Sequence, residues 1–166
     1  MAEKLTKSDV KKIEEEIEHR KLVVRKEAIE AVKEARAHGD LSENFEYYAA
    51  RQAKNQNESR ITYLENMLRH AVIIEDESAE DEVGLNKRVK IMFEDDQETE
   101  EYKIVTSIRG DSRRGLISPE SPLGSALMGH RVGDRAQIAA GSGSYFVKIL
   151  EITNVGEEET DTLKQY

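Results

Sequence analysis

The sequence has no cysteine and no tryptophan, and only two of its 166 residues are proline. The missing cysteine excludes disulfides, thiolate metal sites and a cysteine nucleophile, and is compatible with a reducing, cytoplasmic setting. Aromatic residues make up 5% of the chain. No apolar run exceeds a few residues, so nothing reads as a membrane span. Met1 to Val10 is polar and lacks the apolar core of a signal peptide. The four histidines, His19, His38, His70 and His130, show no metal-ligand spacing. No glycine-rich phosphate loop or nucleophile motif is present. At 37% hydrophobic and 36% charged, the chain is too polar for one large spherical core, and elongated elements with thin cores fit better.

Excess positive charge is also missing, since the net charge is −9. The acids are concentrated, however. Glu75–Glu82, Glu94–Glu101 and Glu157–Asp161 hold six, six and four of them, without Lys or Arg. Removing these 16 from 34 leaves 18 acids against 25 Lys and Arg. The rest of the chain is net basic, which keeps an anionic partner open.

Proline and glycine are absent from Leu5 to His38 and again from Leu41 to His70. In the first stretch apolar residues recur at Val10, Ile13, Ile17, Val24, Ala28, Val32 and Ala35, the spacing of one helical stripe. Arg20 or Lys21 falls where one more apolar residue belongs. Thr6 or Ser8 suits the N-cap. A helix of about 30 residues would be roughly 45 Å long, which suggests a coiled coil. The second stretch places Phe45, Tyr48, Ala49, Ala53, Gln56, Leu64, Met67, Leu68 and Ala71 on one stripe. Its middle, Asn55 to Asn57, is expected to be thinly packed or solvated. A short turn around Gly39 makes the two helices antiparallel, with Gly39 in the left-handed position that ends the first.

Past the acidic run the period changes from helical to alternating. "KRVKIMF", "EYKIVTSI", "RAQIAA" and "SYFVKILEIT" read as strands, with a turn at Gly141 to Ser144. Ser121-Pro122 starts a short helix that Gly129 ends. The expected fold class is α+β: an antiparallel coiled-coil hairpin over 1–75, an acidic linker over 76–83, a small, mostly antiparallel sheet domain with one short helix over 84–156, and an acidic tail without structure over 157–166.

Two acids at the hairpin turn, Asp40 and Glu43 in "GDLSEN", carry the candidate chemistry. The bland reading is a capping box for the second helix, in which an N-cap residue is followed three positions on by Glu. The functional reading is half of a metal site. Mg²⁺ takes one or two carboxylates, with water and phosphate completing the shell, so two acids alone make a poor site and a good contribution to a partner's. Arg20, Lys21, Arg25 and Lys26 are either a solvated coiled-coil face or a phosphate contact with single-stranded nucleic acid or a docking contact. Arg36, Arg51 and Tyr47 near the turn are further contact candidates. Tyr48 fits the buried stripe, and Tyr47 is the more exposed of the pair.

"EARAHGDLSENFEYYAAR" and "LISPESPLGSALMGHRVGD" resemble the tip and the C-terminal domain of the bacterial Gre transcript-cleavage factors, GreA type. The resemblance covers nearly the whole chain except the acidic tail. It implies an FK506-binding-protein-like sheet domain that docks on RNA polymerase, with Ser121 and Pro122 in the docking region. It also implies a coiled coil that enters the polymerase secondary channel and stimulates cleavage of the nascent RNA 3′ end in backtracked complexes. The two tip acids of the family fall on Asp40, which would help hold a Mg²⁺ at the polymerase active site, and Glu43, which would orient or activate the attacking water. The chain would then be a factor and not an enzyme, with no cofactor of its own. It would act as a monomer, with a DNA contact in the elongation complex and no membrane partner.

Two departures from the family pattern stand out. Phe45 occupies a place where a small residue is common. "VVRKEAIE" lacks a frequent proline, which should leave the first helix straighter. The rival readings are a channel-binding regulator without cleavage activity, a plain coiled-coil adaptor and a peptidyl-prolyl isomerase. The isomerase needs an aromatic-walled pocket, for which Phe93, Tyr102, Tyr145 and Phe146 are sparse material.

Overall fold

The computed structural model describes residues 2–39, 44–157 and 161–164. The chain is α+β and divides into two compact units, Met1–Glu3 with Lys7–Val72 and Lys4–Thr6 with Ile73–Tyr166. Among the described residues no helix is long and apolar enough to cross a membrane.

The first unit is a helical hairpin. Its outgoing arm runs through α1 (Lys7–His19), a π-helical turn (Arg20–Val24) and α2 (Arg25–Arg36). Its returning arm is α3 (Phe45–His70). The cross-pairs Glu16–Arg60, Arg20–Asn57 and Ala35–Asn44 run in opposite senses along the two arms, so the arms are antiparallel. Ile13, Val32 and Ala35 of one arm and Ile61, Leu64 and Met67 of the other are buried. Ile17, Val24 and Ala28 are half-buried, so the outgoing stripe holds as read.

Three expectations for the hairpin need correction. The first arm is not one uninterrupted α-helix. At the π turn the Arg25 N–H reaches the Arg20 carbonyl, five residues back. That carbonyl also accepts the Asn57 amide at 3.2 Å. An opened helical ladder needs such a partner for its displaced carbonyl, and a side chain inserted from a neighbour supplies it. The returning stripe holds at Leu64 and Met67 but is rotated at its start. Phe45 is 86% and Tyr48 48% exposed, whereas Tyr47 is half-buried, the reverse of the expected order. α3 begins at Phe45 with Asn44 as its N-cap, and it is Asn44 and Tyr47 that face the other arm, with Asn44 Nδ2 on the Ala35 carbonyl and the Tyr47 ring beside Arg36. Finally, the polar middle of α3 is not uniformly solvated. Asn57 is 3% and Arg60 7% exposed, and both are held by partners on the other arm.

The second unit is a five-stranded sheet of order β5-β4-β3-β7-β6. Its strands are β3 (Lys87–Phe93), β4 (Thr99–Ile104), β5 (Leu116–Ile117), β6 (Arg135–Ala140) and β7 (Gly143–Asn154). The short strands β1 (Lys4–Leu5) and β2 (Val72–Ile73) form a separate two-stranded ribbon. Three neighbouring pairs in the large sheet are antiparallel, and β4 with β5 is parallel. The core gathers alternate residues of the strands, Val89, Ile91, Ala136, Ile138, Val147 and Ile149, beneath Leu127 of α4 (Pro122–Leu127). Period-two alternation against one covered face produces this pattern.

The acidic run 76–83 is not a free linker. Lys87, 2% exposed, donates its Nζ protons to Ser78 Oγ (2.9 Å) and to the carbonyls of Ala79 (2.6 Å) and Glu82 (2.9 Å). A buried ammonium must find oxygens, and the run wraps round it to supply them. The tail is likewise not structureless throughout. Asp161 is 3% and Leu163 8% exposed, and the Lys164 N–H donates to the Ile108 carbonyl at 2.5 Å.

Candidate functional site

The hairpin turn is built from both helix ends inward. The last turn of α2 closes through the Ala37 N–H to Lys33 and Glu34 carbonyls and the His38 N–H to the Ala35 carbonyl, all at 3.2 Å. Gly39 then takes φ +104°, a left-handed conformation that costs other residues and leaves glycine unstrained. Asp40 and Glu43, the candidate catalytic acids, lie outside the described residues.

On the far side Asn44 joins the two arms. Its Oδ1 accepts the Tyr47 N–H at 3.0 Å, which caps α3. Its Nδ2 donates to the Ala35 carbonyl at 2.7 Å, which satisfies the end of α2. One side chain thus closes both helix termini, each of which leaves backbone groups unpaired. His38 Nδ1 stands 3.0 Å from Glu46 Oε2 across the same turn. The Arg36 guanidinium lies 5.7 Å from the Tyr47 ring centroid, and Tyr47 meets Tyr48 edge-on at 5.5 Å. Segment 40–43 is therefore flanked by a fixed frame on either side. Asn44 was legible as a helix cap, since Asn ranks among the best N-caps, but the acid-x-x-Glu pattern just before it drew the reading.

The mid-hairpin cations divide. Arg20 is spent inside the hairpin, with Nε 2.8 Å from Glu16 Oε2 and Nη1 3.0 Å from Asn57 Oδ1. Arg60 Nε meets the same Glu16 oxygen at 3.0 Å. Burial pushes the Glu16 carboxyl up, but hydrogen bonds from Arg60 and Arg20 outweigh it, so the group lies below its usual range. Arg25 forms a two-pronged pair with Glu58 at 2.8 and 2.9 Å, which holds the Glu58 carboxyl below its usual range. Lys21 lies 3.4 Å from Glu65. Lys26, Arg36 and Arg51 are exposed. The structure thus ties Arg20, Lys21 and Arg25 into cross-arm pairs, brings Arg36 and Tyr47 together beside the turn, and leaves Lys26 and Arg51 facing solvent.

In the sheet unit, Ser121 is the N-cap of α4, with its Oγ accepting the Gly124 N–H at 3.0 Å, and Pro122 is the first helical residue. The Ser118 carbonyl accepts both Ser121 Oγ (2.7 Å) and Ser121 N–H (3.1 Å). A Cβ on Gly124 would stand 1.9 Å from that same carbonyl oxygen, so the tight loop needs glycine there. Among the described residues no group of three or more His, Asp or Glu stands in a metal-holding arrangement.

Residues 3–73 match the family profile described as "Transcription elongation factor, N-terminal", and residues 77–154 match "Transcription elongation factor, GreA/GreB, C-term". The chain belongs to the GreA/GreB family of transcription elongation factors. It is 45% identical over 150 residues to transcription elongation factor GreA of Bacillus licheniformis, covering 90% of this chain and 95% of that one. It is 46% identical over 149 residues to GreA of Geobacillus kaustophilus, covering 89% and 94%. Among solved structures, GreA factor homolog 1 (Gfh1) of Thermus thermophilus is 28% identical with a TM-score of 0.43, covering 92% of this chain and 99% of that one. At that TM-score the likeness decides nothing about function. The two motifs read from the sequence as GreA-like thus belong to a chain that is GreA/GreB over both of its units.

Proposed function

We propose that this GreA/GreB factor binds RNA polymerase, inserts its hairpin into the secondary channel and stimulates cleavage of the RNA 3′ end in backtracked complexes. Family membership supports the class of partner. The observation that carries the reading to the tip is the cap of α3. Asn44 fills the N-cap position and ties it to Ala35, so the capping role that competed for Asp40 already has an occupant. Two acids that a helix start does not require fit a role outside their own chain.

The donor chemistry fits a shared site only. Asp40 and Glu43 offer too few oxygens to hold Mg²⁺ alone, because the ion takes octahedral coordination completed by water and phosphate. Asp40 would hold such an ion jointly with the polymerase, and the bound ion would stabilise charge on the phosphate oxygens. Glu43 would orient the attacking water and accept its proton. Asn44 and the Arg36–Tyr47 contact would hold the acids' flanks, so that little ordering remains to be done at the moment of reaction. Lys26 and Arg51 would meet phosphate or acidic protein walls. The Ser118–Gly124 loop, with Ser121 and Pro122, would supply docking affinity.

The test is a stalled, backtracked elongation complex. Addition of the chain should release short 3′ RNA fragments, and Asp40→Asn and Glu43→Gln should each remove most of that release while competition for the channel persists. Binding without fragment release by the unaltered chain would favour the non-cleaving regulator.

A further inference from the structure

Among the described residues Lys103 is the largest fully buried side chain, at 0% exposure near the end of β4. A buried ammonium requires a counter-charge and further hydrogen-bonding oxygens. Its Nζ donates to the carboxylate of Asp161, 58 residues on. Arg109, 4% exposed, donates its Nη1 to the Asp161 carbonyl at 2.6 Å, and its Nη2 lies 3.8 Å from Glu157 Oε1. Two buried cations thus hold both the side chain and the main chain of one residue. Leu163 is buried beyond it, and the Lys164 N–H closes on the Ile108 carbonyl at 2.5 Å.

None of residues 161–164 belongs to the hydrophobic core cluster. They form no strand, and the family profile ends at residue 154. The segment is held as a peptide ligand is held: the Asp161 carboxylate on Lys103, its main-chain carbonyl on Arg109, the Leu163 side chain buried and the Lys164 N–H on the Ile108 carbonyl. We infer that Lys103 and Arg109 form an acidic-peptide binding site on the sheet unit, and that its resident ligand is the chain's own Asp161–Lys164 segment. The site adjoins the loop described above, because Ser107, between Lys103 and Arg109, reaches Glu120 Oε2 at 3.3 Å.

The experiment uses the full chain. Asp161→Asn with Leu163→Ala should release the resident segment. A fluorescent synthetic peptide of residues 157–166 should then bind this variant saturably, and bind the unaltered chain at least about tenfold more weakly, because an occupied site reduces apparent affinity by the fraction left open. The same peptide with Asn at position 161 should bind at least about tenfold more weakly, as should the normal peptide on a released chain that also carries Arg109→Gln. Equal binding to the released and unaltered chains, or none to a released chain of normal circular dichroism, would overturn the inference. Should the released variant not fold, amide exchange on the unaltered chain decides. The Lys164 amide should exchange at least about tenfold faster than the Val105 amide, which donates to Ile117 within the sheet. Equal rates would make the segment part of the sheet's cooperative core and end the proposal.

Discussion

The side-chain amide of Asn44 donates to the carbonyl of Ala35 at 2.7 Å while its oxygen accepts the Tyr47 N–H at 3.0 Å. Removing it should be felt at both helix ends. Asn44→Ala is expected to destabilise the hairpin by about 1–2 kcal/mol, the usual cost of a lost N-cap. Asn44→Asp keeps the cap but loses the donor to Ala35, and should fall between the two. Thermal melts followed by circular dichroism would show the order. Asn44→Asp as damaging as Asn44→Ala would put the weight on the Ala35 bond alone.

The Glu16 cluster makes hairpin stability depend on pH. Its folded pKa lies below the unfolded value, so its contribution is present above the unfolded pKa of about 4.3 and is lost as pH falls through the folded one. Glu16→Gln should therefore flatten the acid side of a stability-against-pH curve below about pH 5. Near neutral pH it should cost on the order of 1–3 kcal/mol, as for hydrogen bonds to a charged group. Urea unfolding of both chains between about pH 3 and 7 measures this.

Arg25 and Glu58 form a well-aligned pair, but their side chains are 36% and 42% exposed. Arg25→Ala is expected to cost little, as exposed ion pairs usually contribute little to stability. The cost should shrink with added salt. A larger, salt-independent loss would mean that the guanidinium contributes by packing.

Much of the fold was legible because its signals are periodic. The outgoing stripe from Ile13 to Ala35, the alternation in β3 and β7, and Pro122 as a helix start follow from local chemistry. The π turn was not legible. It depends on Asn57 of α3 meeting the Arg20 carbonyl, a contact between residues far apart in sequence. The Lys103–Asp161 pair escaped for the same reason. Lys103 reads as an ordinary polar residue of an alternating strand, and Asp161 as one acid among several. The cap of α3 was less plain, because two capping patterns overlap within five residues and the Ala35 carbonyl that Asn44 meets comes from the other arm.

Gly124 tests the loop at the start of α4. Gly124→Ala would drive a Cβ to 1.9 Å from the Ser118 oxygen, and backbone cannot yield as a side-chain tip does. The expected loss is about 1–3 kcal/mol in the sheet unit, with weakened competition for polymerase. Ser125→Ala, one residue on, should leave both nearly unchanged, within about 0.5 kcal/mol for a surface site. Thermal unfolding and channel competition, run on both variants, compare the two effects.

The central claim is that Asp40 acts on a partner's reaction and not on its own helix. The most direct measurement is the rate of short RNA release from a backtracked complex by Asp40→Asn, across a range of Mg²⁺ concentrations. Asn matches Asp in size and in capping ability, so hairpin stability should be unchanged. The account predicts that release at low Mg²⁺ falls by at least about tenfold and is partly restored as Mg²⁺ rises. Normal release by Asp40→Asn at low Mg²⁺ would contradict it.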